Sequence, residues 1–153
     1  MAYAAKTGTV SGPLLILYSG LIFWTVGYDT IYACQDIEDD MKIGVKSTAR
    51  RFGGFVTGGV FITYFLSGIF IFVSTGFQSV LDTSSAKLLT SGLDPLAPQM
   101  RGISAYLAIP FFIHLMWQTS RLKSANNAEY LRLFKSNFWA AVILITCYLI
   151  FPT

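Results

Sequence analysis

Residues 55–77 read FVTGGVFITYFLSGIFIFVSTGF, a run of 23 residues without a charged side chain. A helix needs about 20 predominantly apolar residues to cross the hydrocarbon core of a bilayer. This stretch therefore predicts a membrane-spanning helix. The composition of the whole chain agrees, because 54% of its 153 residues are hydrophobic and 12% are charged, whereas a soluble domain has roughly 25% charged residues.

Three further apolar stretches complete the prediction of an all-α, integral membrane bundle with about four transmembrane helices. They lie at 13–33, 102–118 and 134–151, so the four spans form a single domain over residues 1–153. Nucleic acid is not an expected partner, because the net charge is only +3 and the basic residues form no continuous stripe.

The connections between the predicted spans differ in charge. The third connection, taken as 119–137, includes the first residues of the fourth span. It and the first connection hold eight of the 11 Lys and Arg residues, and the other three lie before the first span or in the second connection. Because positively charged connections stay on the cytoplasmic or matrix-like side, the first and third connections are predicted to share that side. The second, at 78–101, is predicted to be an exposed loop. The third is predicted to carry a surface helix over 128–135 with its apolar side, including Phe134, against the membrane.

Five of the eight acidic residues fall at the end of the first span, in YDTIYACQDIEDD at 28–40. A charge at a membrane span is costly unless it is compensated, so this acidic segment is the candidate functional site. On one continuous helix, Asp29, Asp36 and Asp40 would lie within about 40° of one another, since each residue turns the helix by about 100°. We therefore expect a line of carboxylates. Two residues would flank this line: Tyr32 and Asp39.

Two kinds of cation would offset the repulsion along this line, which costs about 0.2–0.5 kcal/mol for each like-charged i,i+4 pair. Basic residues that follow a turn at Gly44 or directly precede it would neutralise the acids internally. These residues are Lys42, Lys46, Arg50 and Arg51. The alternative is a divalent metal, since Mg²⁺ binds carboxylate oxygens and shares its coordination shell with substrate phosphates. Spacing alone leaves both open, and the trailing basic residues favour a metal-diphosphate site because they would hold the remaining phosphate oxygens.

The same segment and the residues after it resemble a known family. YACQDIEDD (32–40) and KIGVKSTARRFG (42–53) are similar to the second aspartate-rich motif of the UbiA superfamily of intramembrane prenyltransferases. Within it, they are most similar to the 4-hydroxybenzoate polyprenyltransferase branch of ubiquinone biosynthesis. The resemblance implies a nine-helix membrane fold around a central cavity, of which the spans here would form the C-terminal half. It also implies an enzyme of the lipid bilayer that uses Mg²⁺ to transfer a prenyl group from a polyprenyl diphosphate to an aromatic acid.

The resemblance also implies roles for individual residues. Asp36 and Asp40 would act in catalysis as Mg²⁺ ligands, and Asp39 would be a further metal ligand. Substrate contacts would come from Asp29, Tyr32, Lys46 and Arg50. The quinone branch implies the mitochondrial inner membrane, whereas a secondary, meroterpenoid-type pathway that farnesylates an aromatic polyketide implies another endomembrane.

One feature departs from the family pattern. No acidic residue precedes Asp29, so the first aspartate-rich motif of the family has no counterpart here, and nine helices need more than 153 residues. We therefore expect a partial chain without transferase activity of its own. An inactive membrane fragment is one alternative function, and a cation transporter with a carboxylate relay is another. The uncharged middle of the second and fourth spans argues against a transporter.

Four residues of the apolar segments have structural predictions. His114 lies one turn before Gln118 and is expected to be a neutral, hydrogen-bonded packing residue, although an ionisable residue in a span is also a functional candidate. Trp24 is expected in an interfacial aromatic belt, in preference to the alternative that it lines a dry pocket with Tyr28 and Tyr32 and stabilises a passing cation. Cys34 and Cys147 are expected to be unpaired thiols that pack as small apolar groups.

Overall fold

The computed structural model describes residues 8, 10–89, 97–123 and 125–150, without the side chains of 38, 78–89, 97–107 and 147–150. Every regular element in these ranges is helical, which confirms the all-α prediction. The α-helices, named α1 to α6 in chain order, are Gly12–Ala33, Ile37–Ile43, Thr48–Phe52, Val56–Leu89, Ala97–Leu122 and Asn127–Ile150. A 3₁₀ turn, Gly53–Phe55, joins α3 to α4.

The four long helices form a closed bundle. α1 packs against α4, α4 against α5, and α5 against α6, which returns to α1. Each contributes to a single hydrophobic core, for example with Ile31, Tyr64, Phe111 and Ala140, all of which are fully buried. A helical bundle satisfies the backbone hydrogen bonds within each helix, as a bilayer requires.

α1 and α4 approach each other closely and run in opposite directions. A β-carbon at Gly27 would overlap the ring of Tyr64, so glycine is needed for this contact. Near the start of α1, the hydroxyl of Ser74 donates to the carbonyl oxygen of Pro13 at 2.7 Å. Small residues promote such contacts in membranes, where van der Waals packing largely drives helix association.

Two stretches of the described residues are long and apolar enough to cross a membrane, Gly12–Ala33 and Thr48–Phe77. They include the first two predicted spans. The other two predicted spans fall on α5 and α6, apart from residue 151, which lies outside the described residues. Their crossing of the membrane, and the orientation derived from charge, stay predictions.

The loop predicted at 78–101 was wrong for most of its length. α4 continues to Leu89 and α5 begins at Ala97, while residues 90–96 lie outside the described residues. Extending an existing helix costs much less than starting one, so the Ser and Thr residues after the second span do not end it.

The separate surface helix predicted at 128–135 was also wrong. These residues form the first part of α6, which continues without a break to Ile150. The ring of Phe134 contacts those of Tyr28 and Tyr32 on α1. The apolar side of this segment therefore packs within the bundle and not against the membrane.

Candidate functional site

A break in the helix divides the predicted line of carboxylates. α1 ends at Ala33, a three-residue turn follows, and α2 begins at Ile37. The expectation that Asp29, Asp36 and Asp40 share one helical face was therefore wrong, because it assumed an unbroken helix. The amide of Asp40 donates to the carbonyl oxygen of Asp36 at 2.9 Å, which places these two residues one turn apart. Asp29 is exposed on α1.

Asp39 is neutralised within the acidic segment. Lys42 Nζ lies 2.8 Å from Asp39 Oδ1, and the two side chains are 72% and 76% exposed. Across the described part of the chain, neither Asp36 nor Asp40 takes part in an ion pair. Internal pairing therefore accounts for one of these three acids and leaves two carboxylates available for another cation.

Arg50 joins the end of α2 to α3. Its Nη1 donates to the carbonyl oxygen of Asp40 at 3.1 Å and also to that of Val45. Gly44 has a left-handed φ of 76°, as a helix-ending glycine often does, and Val45 N donates to Asp40 O at 3.0 Å. A guanidinium has five N–H donors, and these contacts use one nitrogen. Arg50 thus has a structural contact that the sequence did not predict.

A cleft of about 370 Å³ lies beside α3 and is lined by Lys46, Ser47, Thr48, Arg50 and Arg51. Lysine and arginine supply positive charge, and the hydroxyls supply further donors. The Ser47 hydroxyl oxygen is buried and lacks a hydrogen-bond partner among the described residues. Because buried polar atoms without partners are uncommon, this atom is suited to a ligand. Basic and hydroxyl groups together fit a phosphate.

α3 fixes this cleft to the helical bundle. Ala49 is fully buried, and α3 packs against α1. The hydroxyl oxygens of Thr30 on α1 and Thr48 on α3 lie 3.0 Å apart, within hydrogen-bond distance. The basic cleft and the acidic segment therefore lie at the same end of α1.

Cys34 lies in the turn between α1 and α2. It is a buried, free cysteine, as predicted, whereas the side chain of Cys147 lies outside the described residues. Burial raises the pKa of the Cys34 thiol from 9.0 to about 11. The thiol is therefore protonated near neutral pH and packs as a small apolar group.

The donor atoms in the acidic segment fit a magnesium ion that is shared with a ligand. Within the described residues, no three His, Cys, Asp or Glu side chains converge on one metal position. Mg²⁺ usually takes one or two carboxylates and completes its shell with water and phosphate oxygens. Asp36 and Asp40 offer two such carboxylates, and the neighbouring Gln35 Oε1 is a buried acceptor without a described partner. The metal assignment stays a prediction.

Aromatic rings extend from the acidic segment into the bundle. The ring centroid of Phe134 lies 4.9 Å from that of Tyr32 and 6.0 Å from that of Tyr28, and Trp24 lies 5.7 Å from Tyr28. The prediction of an interfacial belt for Trp24 was wrong, because its indole N–H donates to Asn137 Oδ1 inside the bundle at 2.9 Å.

Sequence reasoning missed most of a polar network around α5 and α6. Asn137 Oδ1 also lies 3.4 Å from the hydroxyl of Tyr64, and Gln118 Nε2 donates to Ser136 Oγ at 2.7 Å. His114 Nε2 lies 3.1 Å from the carbonyl oxygen of Ser136, so His114 is hydrogen-bonded, as predicted. The available signal was the presence of amide side chains beside apolar runs, since such polar groups seek partners in a membrane.

Comparisons with known proteins extend over nearly the whole chain. The 4-hydroxybenzoate octaprenyltransferase of Shewanella oneidensis is 34% identical over 144 residues, which are 94% of this chain and 43% of the relative. The protein of the same name from Shewanella woodyi is 31% identical over 145 residues, with the same two shares. That from Saccharophagus degradans is 55% identical over 53 residues, 35% of this chain and 18% of the relative.

The chain thus spans 43% of the length of the two Shewanella relatives. No solved structure gives a significant match. The model of the UbiA prenyltransferase family matches residues 1–142. This integral membrane, all-helical chain therefore belongs to the UbiA prenyltransferase family.

Proposed function

We propose that this chain forms part of a Mg²⁺-dependent enzyme that transfers a prenyl group from a polyprenyl diphosphate to an aromatic acid of the 4-hydroxybenzoate type. One observation carries the proposal: Arg50 binds the Asp40 carbonyl and thereby joins a helix with free carboxylates to a basic cleft. Carboxylates that hold a divalent metal and bases that hold phosphate oxygens are the two parts of a metal-diphosphate site. The names of the Shewanella relatives support the choice of acceptor.

Each part of the segment has a role in this proposal. Asp36 and Asp40 would hold Mg²⁺, while Asp39, already balanced by Lys42, would support them less directly. Lys46 and Arg50 would bind the diphosphate oxygens from the cleft. When bound, Mg²⁺ lowers the effective charge of the departing diphosphate as a Lewis acid.

The proposed reaction exchanges one bond for another. The bond between the allylic carbon and the diphosphate oxygen breaks, and its electron pair leaves with the diphosphate. A carbon–carbon bond forms between the allylic carbon and the aromatic ring, and the ring carbon then loses its proton to the released diphosphate or to water. The faces of Tyr28 and Tyr32, close to Phe134, suit the transient positive charge on the prenyl group, since aromatic faces attract cations.

The pathway and location follow from the acceptor. For 4-hydroxybenzoate we propose ubiquinone biosynthesis, with the mitochondrial inner membrane as the location in a cell that has mitochondria. A secondary pathway would use the same metal-diphosphate chemistry and differ in its phenolic acceptor, prenyl length and membrane.

Ligand binding is the appropriate test, because the chain spans less than half of the relatives' length. The purified chain in lipid nanodiscs is titrated with farnesyl thiolodiphosphate, an analogue with a poor leaving group, with and without Mg²⁺. We expect binding that requires Mg²⁺ and weakens about tenfold or more in Asp36→Asn and Asp40→Asn, as for loss of a charged contact. Asp39→Asn is the matched control, with an expected change below about threefold.

Two results would contradict the proposal. The first is equal affinity with and without Mg²⁺. The second is unchanged affinity and unchanged metal dependence in both Asp36→Asn and Asp40→Asn. Because these measurements need no prenyl transfer, they test the site even if the chain alone has no catalytic activity.

A further inference from the structure

α5 and α6 are antiparallel neighbours joined by a short turn, and hydrogen bonds fix their register. Gln118 Nε2 donates to Ser136 Oγ at 2.7 Å and to the carbonyl oxygen of Leu133 at 3.2 Å. One turn earlier on α5, His114 Nε2 lies 3.1 Å from the carbonyl oxygen of Ser136. The last residues of α5, after Gln118, therefore lie level with the first residues of α6, before Ser136.

Each of these two helices has exposed basic residues near the turn and an exposed tryptophan further from it. On α5, Trp117 is four residues before Arg121. On α6, Trp139 is seven residues after Arg132, and Lys135 lies between them. Since a helix rises by about 1.5 Å per residue, the tryptophans are about 6 Å and about 10 Å further from the turn than the arginines. We call these five residues the basic-aromatic face.

The two helices present this face on the same side of the helix pair. Because a helix turns by about 100° per residue, Trp117 and Arg121 lie about 100° and about 60° from Gln118 around α5. Arg132 lies about 40° from Ser136 around α6, in the same rotational sense. For antiparallel helices that face each other through Gln118 and Ser136, the same sense of rotation leads to the same side. Arg121 and Arg132 therefore project from neighbouring helices on one side of the pair.

The described part of the chain does not neutralise the basic-aromatic face. Within the described residues, Arg121, Arg132 and Lys135 take part in no ion pair. The nearest acidic residue in the sequence is Glu129, which could neutralise at most one of them. Phe134 contacts aromatic rings on α1, and Arg132 lies about 160° around α6 from it. The face therefore points away from the acidic segment and is suited to an anion from another molecule.

We propose that the basic-aromatic face binds the headgroup of an anionic phospholipid in the surrounding membrane. The arginines would bind phosphate oxygens, since a guanidinium can donate two hydrogen bonds to one phosphate. Trp117 and Trp139 are 45% and 61% exposed and would lie between the headgroups and the acyl chains, where tryptophan is common. A soluble anion would contact the arginines and leave the tryptophans unused, so the order of residues on both helices favours a lipid.

The predicted orientation of the chain agrees with this partner. The face lies at the third connection, which is predicted to be on the positively charged side of the membrane, and anionic lipids attract basic residues beside a span. The proposal concerns lipid selection, goes beyond the proposed transferase function and does not depend on it.

Quenching of tryptophan fluorescence tests for this lipid. The purified chain is placed in phosphatidylcholine nanodiscs with a small fraction of lipid that has brominated acyl chains, either phosphatidylglycerol or phosphatidylcholine. Bromine quenches an indole on contact, so the ratio of the two quenching efficiencies measures the preference for the anionic headgroup near Trp117 and Trp139. We expect a preference of about tenfold that decreases as salt screens the charges.

Substitution of the arginines identifies the residues responsible. Arg121→Gln and Arg132→Gln should each lower the preference about threefold or more, because each removes one positive charge from the face. Lys123→Gln is the matched control, since it removes the same charge from an exposed position beyond the end of α5. The control should change the preference by less than about twofold. All three side chains are exposed, so the helix content measured by circular dichroism should stay the same.

Three outcomes would overturn the proposal. Equal quenching by the two brominated lipids, or a preference that salt does not reduce, would show that the face does not select an anionic headgroup. An equal loss of preference in Lys123→Gln would assign the effect to the net charge of the chain. Weaker binding of farnesyl thiolodiphosphate in Arg121→Gln and Arg132→Gln than in Lys123→Gln would assign the face to the diphosphate substrate instead.

Discussion

Asn137 on α6 accepts the indole hydrogen of Trp24 on α1 at 2.9 Å. The same oxygen lies 3.4 Å from the hydroxyl of Tyr64 on α4, and the amide nitrogen donates to the carbonyl of Leu133 at 3.2 Å. A single side chain thus links three of the four long helices. The rings of Tyr28 and Phe134 continue from Trp24 to Tyr32, so the network adjoins the acidic segment.

Replacing Asn137 should destabilise the bundle. Asn137→Leu leaves the N–H of Trp24 and the hydroxyl of Tyr64 without this acceptor, and we expect a loss of about 1–3 kcal/mol in the free energy of unfolding. Trp24→Phe should cost about 0.6–2 kcal/mol, since hydrogen bonds between membrane helices are modest. Unfolding in detergent, followed by circular dichroism, measures both changes. If the two residues interact, the double variant loses less than the sum of the single losses, whereas additive losses would contradict the contact.

Replacing Gly27 should disrupt the contact between α1 and α4. The β-carbon of Gly27→Ala would overlap the ring of Tyr64, so the helices must separate or the ring must move. We expect a loss of about 1–3 kcal/mol, as for other overpacked cores. Gly58→Ala on α4 is the matched control, because a β-carbon there meets nothing within 4 Å. The control should show no loss of thermal stability, and equal losses in both variants would contradict the role of close packing.

The parts of the structure that depend on local sequence could be predicted. The first two spans follow from the length of their apolar runs. Asp36 and Asp40 lie one helical turn apart because they are four positions apart in the sequence. The position of Asp29 relative to them could not be predicted. Neither glycine nor proline marks the turn at 34–36, so an unbroken helix was the simplest expectation.

Contacts between distant residues were beyond local patterns. Trp24 and Asn137 are 113 positions apart, and only the packing order of the helices brings them together. The same holds for Phe134. A sequence pattern shows that its ring needs an apolar neighbour, but it does not show whether that neighbour is lipid or, as in the structure, a ring on α1. The hydrogen bond from Arg50 to the Asp40 carbonyl depends on the turn at Gly44. The glycine predicted this turn, but the sequence did not predict the hydrogen bonds made there.

The Cys34 thiol should react slowly with alkylating agents until the pH is high. Its pKa is raised to about 11 by burial, compared with 9.0 for an unperturbed thiol. In a Cys147→Ser background, the half-maximal rate of iodoacetamide labelling should occur near pH 11 for the folded chain and near pH 9 in denaturant. A folded chain that labels half-maximally near pH 9 would show that Cys34 is accessible.

The same shift predicts a dependence of stability on pH. Folding raises the pKa of the Cys34 thiol, so the neutral thiol is favoured in the folded state and its deprotonation favours unfolding. The contribution of Cys34 is therefore fully present below about pH 9 and is lost as the pH rises towards about 11. The difference in unfolding free energy between the parent and Cys34→Ala should shrink over this range, and a constant difference would contradict the assignment.

Arg50 should hold the acidic helix in place in addition to supplying charge. In Arg50→Ala, the carbonyls of Asp40 and Val45 lose their guanidinium donor, so the turn at Gly44 should open more often. We expect amide hydrogen exchange at Val45, whose N–H donates to Asp40, to accelerate about tenfold or more, as for loss of a charged hydrogen bond. Hydrogen exchange measured by mass spectrometry, without any ligand, tests this directly.

Arg51→Ala separates the contact from the charge. Arg51 lines the same cleft and carries the same charge, but the donor to the Asp40 carbonyl is Arg50. Both variants should weaken binding of an anionic diphosphate analogue, because both remove a positive charge from the cleft. Only Arg50→Ala should also accelerate exchange at Val45 and reduce the Mg²⁺ dependence of binding, since the carboxylates of α2 then lose their fixed position relative to the cleft. Equal exchange rates in the two variants would mean that Arg50 contributes charge alone, and that the acidic helix keeps its place through the glycine turn.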